Sequence, residues 1–394
     1  MSALKYWIWL SSLSGVGPVT AARLLNRLGT PEKVFQASER DYREIEGVRR
    51  PEIEKLAEKN VEAANRILAS CAETGCRILT FQDAEYPERL RNIYDPPLVL
   101  YVRGSLPVID EEAVVAIVGT RDCTPYGTGA AETIGRKLAM NGLVVATGLA
   151  RGIDTAAAGG ALRGGGRVIG VIGSGPDVVF PRENRQLFDD VASSGAIVSE
   201  YPPGVPAMRA HFPARNRIIS GISLGVAVVE APGRSGALIT ASRALEQGRD
   251  VFALPGNVDA RSCEGSNALL KEGAIPILSG DDIIAEYAEL FPDKIGNCER
   301  EQARPRPVCA PAPKKVIDNV PPVDYIDLDK ITGGLSGDEK TVAETIGTET
   351  PHVDEIIVKA GLPAQRVLTA LTMLEIKGFV ARLTSGKWKL ENGK

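Results

Sequence analysis

The sequence predicts an α/β protein: a Rossmann-like, doubly wound parallel sheet as its core, a helical N-terminal domain and a winged-helix-like C-terminal domain. Three observations carry that expectation. From Val114 onward, short β-branched apolar runs alternate with stretches of helical period. Glycine-rich turns follow those runs, as they do in α/β folds whose loops bind ligands. A proline-rich segment then separates this region from a last block with three helical patterns and two short apolar runs.

Near the start, Gly15-Val16-Gly17-Pro18 leads into a periodic stretch with Ala21, Ala22, Leu24, Leu25 and Leu28. This pattern suits a helix-hairpin-helix (SAM-like) element, whose tight turn presents backbone N–H groups to a phosphate. A weaker second copy follows at Glu46-Gly47-Val48, before Ile53 and Leu56. A helical packing module that never touches DNA fits residues 1–80 equally well. In the core, expected over 81–292, the candidate strands are Val114–Val118, Leu143–Ala146, Arg167–Val171, Ala196–Ser199, Gly225–Val229 and Asp250–Ala253. They are nearly all apolar, as strands covered on both faces must be. Gly127–Met140 and Ala237–Gln247 suit the helices that cover them.

Residues 293–335 read as a linker, extended and solvated around Ala303–Pro313, where limited proteolysis is expected to cut first and leave a core ending near Phe291. Beyond it, over 336–394, helices are expected at Asp338–Ile346, Val353–Ala360 and Pro363–Lys377. A hairpin of Phe379–Leu383 and Lys387–Leu390 follows around Thr384-Ser385-Gly386. The third helix carries only Arg366 and Lys377 as cations, which is thin for reading a duplex major groove.

Composition narrows the function. A net charge of −4 argues against coating nucleic acid over the whole surface, so a polyanion partner needs a local basic site. The six cysteines form no C-x-x-C pair and no leader pattern precedes them; reduced thiols in a cytoplasmic chain are expected. Two histidines, His211 and His352, leave little material for a metal site or for Ser-His and Cys-His catalysis. The Tyr6–Leu10 run is too short to span a bilayer, so no membrane role is expected. Val118-Gly119-Thr120 continues as Arg121-Asp122-Cys123 rather than as a dinucleotide fingerprint, and no G-x-x-x-x-G-K-[ST] loop is present. No cofactor is expected.

Four loops follow expected strands: Gly119-Thr120-Arg121, Thr147–Asp154, Gly173-Ser174-Gly175 and Pro232–Gly236. In an open α/β sheet such loops converge outside the carboxyl edge, where N–H groups and helix dipoles favour anions. The strongest basic cluster is Arg209–Arg217, read as a loop that sets Phe212 among arginines with no acidic residue. Guanidinium forks suit phosphates, and an aromatic ring stacks on an unpaired base. Arginines held in internal salt bridges are the competing explanation.

The run from Ala116 to Ala274 closely resembles the DNA-processing protein A (DprA, or Smf) family. The resemblance rests on Ile117–Arg121 with Tyr126-Gly127, Gly148–Asp154, Ser199–Gly204, Phe212–Gly221, Ser235–Ala241, Gly248–Gly256 and Gly265-Ser266-Asn267. It implies a non-enzymatic protein that binds single-stranded DNA during natural transformation, protects the incoming strand and helps load the RecA recombinase. It also implies a homodimer, here expected through the apolar Ala268–Ile277 segment, which a plain core strand explains equally well. Carried over by motif, the DNA-contact residues are Arg121, Arg182, Phe212, Arg215, Asn216 and Arg217. The loops add Gly119, Thr120, Gly148, Arg151, Gly173, Ser174, Asn184, Ser235 and Gly236.

Two positions depart from the family pattern. Ala158 stands where a histidine is usual, and Phe180-Pro181-Arg182 replaces Tyr-Pro-Lys, which keeps the cation. A Rossmann-like phosphoribohydrolase is the enzymatic alternative, but Pro232–Thr240 lacks the carboxylate that glycosidic cleavage needs in that loop. A scaffold whose winged helix does the binding is a further alternative.

Overall fold

The apolar runs pair into one nine-stranded sheet with the order β1-β2-β6-β5-β4-β3-β7-β8-β9. Its strands are β1 (Arg77–Thr80), β2 (Val99–Gly104), β3 (Val114–Val118), β4 (Val144–Thr147), β5 (Val168–Ile172), β6 (Ala196–Ser199), β7 (Gly225–Val228), β8 (Asp250–Ala253) and β9 (Ile275–Pro276). From β6 to β9 all neighbours run parallel. The first two strands join antiparallel, β1 to β2 and β2 to β6. This is a computed structural model, and it describes residues 3–296, 337–346, 351–377, 379–382 and 388–390. The expected linker starts later than residue 293, because Ile295 is buried against the sheet unit and Lys294 pairs with Glu112; its remainder from residue 297 with the proteolytic site, Thr384-Ser385-Gly386 of the hairpin, Cys298 and Cys309 lie outside the described residues.

The parallel strands are doubly wound because both faces are apolar. On one face, Val114, Ala116 and Val118 pack with Ile218, Ile219 and Ile222 of helix His211–Ile222 and with Ala237, Ala241 and Ala244 of helix Gly236–Glu246. On the other, Val115 and Ile117 meet Ala131, Ile134 and Leu138 of helix Pro125–Met140 and Ala157, Ala158 and Ala161 of helix Ile153–Arg163. Those last two helices touch backbone to backbone. A side chain at Gly160 would strike the Glu132 carbonyl, and one at Gly135 the Ala157 carbonyl. Ala158 is fully buried in that layer, so this chain has no room there for a histidine and presents none to the sheet edge.

Two strands, β1 and β2, were not anticipated from the sequence; the two-residue β9 falls in the Ala268–Ile277 segment, where a core strand was one of the two readings. The first two have a structural use. The N-terminal helices, Ala3–Ser12 through Glu62–Thr74, bury Trp7, Ile8, Trp9 and Leu10 in a core shared with Val99 and Tyr101 of β2. Residues 3–296 therefore fall in one compact unit, and the sheet begins at Arg77 rather than after residue 80. The segment expected to self-associate is helix Glu264–Lys271 followed by β9, the last strand on that side of the sheet.

The C-terminal unit matches its sequence pattern. Helices Asp338–Ile346, Val353–Ala360 and Ala364–Ile376 and the antiparallel pair β10 (Val380–Arg382) and β11 (Trp388–Leu390) enclose Val342, Ile356, Val367, Leu371, Leu374 and Trp388. The two cations noted around its third helix are both paired: Arg366 Nε and Nη2 donate to Asp338 at 2.6 Å, and Lys377 Nζ lies 2.7 Å from Glu339.

Candidate nucleic-acid interface

The strand order reverses between β3 and β7, since β4 follows β3 on one side while β7 adds on the other. Side loops diverge at such a point and leave a crevice. Here it is an open pocket of about 640 Å³, lined by the loop after β3, the loop after β7 and the starts of helices His211–Ile222 and Gly236–Glu246.

The β3 loop is clamped from below. Glu230, fully buried just past β7, accepts from the Thr124 N–H and hydroxyl through Oε2, both at 3.0 Å, while its carbonyl accepts from the Thr120 N–H at 2.7 Å. Both ends of Gly119–Thr124 are thereby fixed, and Arg121 is held at the pocket rim. Its guanidinium lies 5.1 Å from the centre of the Phe212 ring, and Phe212 in turn lies 5.6 Å from Phe180. A recess of about 100 Å³ opens beside these rings, lined also by Gly148, Ala150, Arg151 and Pro181.

The basic cluster is a helix and not the loop expected. Its helix starts at His211, with Pro213 tolerated in the first turn, where no helical partner for its missing N–H is needed. Helical pitch then separates side chains that sequence proximity had grouped. Phe212 and Asn216, four residues apart, face the pocket, and Asn216 Nδ2 donates to the Gly236 carbonyl at 3.2 Å. Arg215 turns inward and donates through Nη1 to the Val171 carbonyl. Burial pulls its pKa down to about 10, a loss that Asp154 opposes, so it stays charged at neutral pH on the pocket wall. Asp154 accepts from the Gly148 and Ala150 N–H groups at 3.1 and 3.3 Å; burial raises its pKa, against the pull of Arg215.

Arg217 does not join the pocket. Its side chain, 6% exposed, is held by Glu200 at 2.7 Å and Asp95 at 3.2 Å. Internal ion pairing, the competing explanation for the cluster, thus describes this one residue. Three other candidates are scaffold. Ser174 is buried, with its hydroxyl on the Val178 carbonyl; Gly173 backs onto His211, whose Nδ1 lies 2.9 Å from the Gly173 carbonyl. Asn184 donates to the Leu149 carbonyl and to Thr155. Arg151 pairs with Glu183 at the recess, and Arg182 is exposed on the neighbouring turn Arg182–Asn184. Ser235 caps helix Gly236–Glu246 by accepting from the Ala237 N–H at 3.3 Å.

Two pocket cations were absent from the residues expected to bind. Arg209 and Arg234 are exposed, line the pocket, and have no ion pair among the described residues. Their signal was available, one opening the basic cluster and the other inside the Pro232–Gly236 loop. The lining then holds four arginines (Arg121, Arg209, Arg215, Arg234) against two carboxylates (Asp122, Asp154). A chain of net charge −4 concentrates positive charge here. Among the described residues no group of three or more His, Cys, Asp or Glu could hold a metal, and no helix is long and apolar enough to cross a membrane.

Comparison with known proteins gives consistent matches. The family model described as DNA recombination-mediator protein A matches residues 77–288, and the DprA winged helix domain matches 330–386. Protein Smf of Synechocystis is 34% identical over 401 residues, covering 97% of each chain. DNA processing protein DprA of Streptococcus pneumoniae is 46% identical over 202 residues, covering 51% of this chain and 71% of that one. The X-ray structure of DprA from Streptococcus pneumoniae superposes with a TM-score of 0.63 at 36% identity, covering 73% of this chain and 99% of that one. A matching model over more than half of the chain, near end-to-end similarity to an Smf protein and a shared fold together establish that this chain belongs to the DprA/Smf family of DNA-processing proteins.

Proposed function

We propose that the chain binds single-stranded DNA in the pocket between β3 and β7, makes and breaks no covalent bond there, protects incoming strands in the cytoplasm during natural transformation and presents them to the RecA recombinase. The observation that carries the reading is the pocket mouth, where the Arg121 guanidinium lies over Phe212 and Phe212 packs beside Phe180, within a lining of four arginines. Cations meet the backbone and rings meet the faces of bases, which are free only in a single strand. The enzymatic alternative has little to work with: of the two pocket carboxylates, Asp122 is exposed on the loop beside Arg121 and only Asp154 is held in place. Asp154 is engaged by two N–H groups beside Arg215, and Glu230 is buried against Thr124.

Phe212→Ala is expected to weaken single-strand binding by about 1–3 kcal/mol, the usual contribution of one stacked base, with little change in salt dependence because stacking releases no counterion. Fluorescence anisotropy with a labelled oligonucleotide over a salt series measures both quantities. Unchanged affinity, or release of free base from nucleoside monophosphates by the purified protein, would count against this function.

The same reading includes a homodimer, with helix Glu264–Lys271 and β9 as the self-association edge. Static light scattering at micromolar protein is expected to give twice the chain mass, and a charge placed at Leu270, which is half-buried there, is expected to return the monomer.

A further inference from the structure

Cys71 and Cys76 stand apart from the other cysteines described. Cys71 ends the apolar face of helix Glu62–Thr74, Gly75 follows in the left-handed conformation at φ 66°, and Cys76 precedes the edge strand β1. This turn folds the chain back on itself, so the Cys76 N–H donates to the Cys71 carbonyl at 2.9 Å. A helix end closed by this backbone bond brings the side chains at its two positions together, and both are buried in the core shared by the N-terminal helices and β2, with Cys76 Sγ 3.7 Å from the Arg77 carbonyl. By contrast, Cys123 contacts the Thr128 hydroxyl and Cys263 the Ser262 hydroxyl, and neither contacts another thiol among the described residues.

We propose that Cys71 and Cys76 form a redox-active dithiol that closes reversibly to a disulfide under peroxide. The pair is asymmetric: the Cys76 hydrogen bond lowers the pKa of Cys71, whereas the same contact and burial raise that of Cys76. Cys71 is therefore the attacking thiolate. Its sulfur takes one oxygen of hydrogen peroxide as the O–O bond breaks, giving a sulfenic acid and releasing hydroxide. The Cys76 sulfur then attacks the Cys71 sulfur, an S–S bond forms, and the sulfenic oxygen leaves as water with the Cys76 proton. The net change is two thiol hydrogens lost and one peroxide reduced to water. Burial makes entry depend on opening of the last helical turn, which lies at the end of the helix next to an edge strand. Closure would tie the C-terminus of helix Glu62–Thr74 to β1, and so fix the N-terminal helices onto the sheet.

Trypsin releases both residues in one peptide, Ile67–Arg77. The full-length folded protein is treated with hydrogen peroxide, denatured in iodoacetamide, digested and weighed. The expected peptide is unalkylated and two hydrogens lighter than the dithiol, and prior treatment with dithiothreitol restores double alkylation. In Cys76→Ser the sulfenic acid has no resolving thiol, so dimedone is expected to label Cys71. Full double alkylation after peroxide, addition of two oxygens to Cys71 in the wild-type peptide, or no dimedone adduct in the folded variant would overturn the assignment.

Discussion

The combined replacement of Arg121, Arg209 and Arg234 by alanine is expected to leave the protein folded and to lower single-strand affinity by at least about a hundredfold. The low end of a hydrogen bond to a charged group is about 1.5 kcal/mol, and three such contacts exceed that margin even with incomplete additivity. The three guanidiniums are exposed at the pocket and none has an ion pair among the described residues, so removing them strands no buried partner. The log–log salt dependence is expected to flatten by about 2, since each phosphate neutralised on a single strand contributes about 0.7. Circular dichroism establishes folding and anisotropy at graded salt gives the slope. A folded variant that binds as wild type does would remove the pocket from the account.

Arg217→Ala is expected to do the reverse. The residue sits at 6% exposure and pairs with both Glu200 and Asp95, so its loss leaves two carboxylates without their cation. Breaking a buried pair costs about 3–5 kcal/mol; Glu200 and Asp95 retain 22% and 28% exposure, and water relieves part of this, which leaves about 2–3 kcal/mol. The denaturation midpoint should fall accordingly, while the folded fraction keeps wild-type affinity and salt slope. A flattened slope with unchanged stability would instead place Arg217 on the DNA. Run side by side, the two experiments separate an arginine that binds from one that holds the fold, although both kinds occur in the same nine-residue run.

That run shows what the sequence could and could not convey. The strands beneath the pocket were legible because β-branched apolar runs buried on both faces leave few alternatives; the bounds of β3, β6 and β8 agree residue for residue. The loops at Gly119, Gly148 and Ser235 were legible for the same reason, since they follow those strands. Direction was not. Arg215 and Arg217 are two positions apart, which on a helix means roughly opposite sides, and Pro213 disguised the helix as a loop. Likewise Ser174 and Asn184 have the polar character of ligand-binding residues, yet their hydrogen bonds close within the protein. Polar residues reveal their partners only once the chain is folded. Strands β1 and β2 were missed because they enter the sheet antiparallel, outside the strand–helix alternation that marked the rest.

Photocrosslinking tests the central claim most directly. A single-stranded oligonucleotide carrying iodouracil, which couples to a stacked aromatic ring on irradiation, is bound to the full chain and the adduct mapped after trypsin digestion. The account predicts the adduct on the peptide Ala210–Arg215, at Phe212, with loss of that adduct in Phe212→Ala and competition by unlabelled single strands but far less by duplex. Adducts confined to the C-terminal unit, or equal competition by duplex DNA, would contradict it.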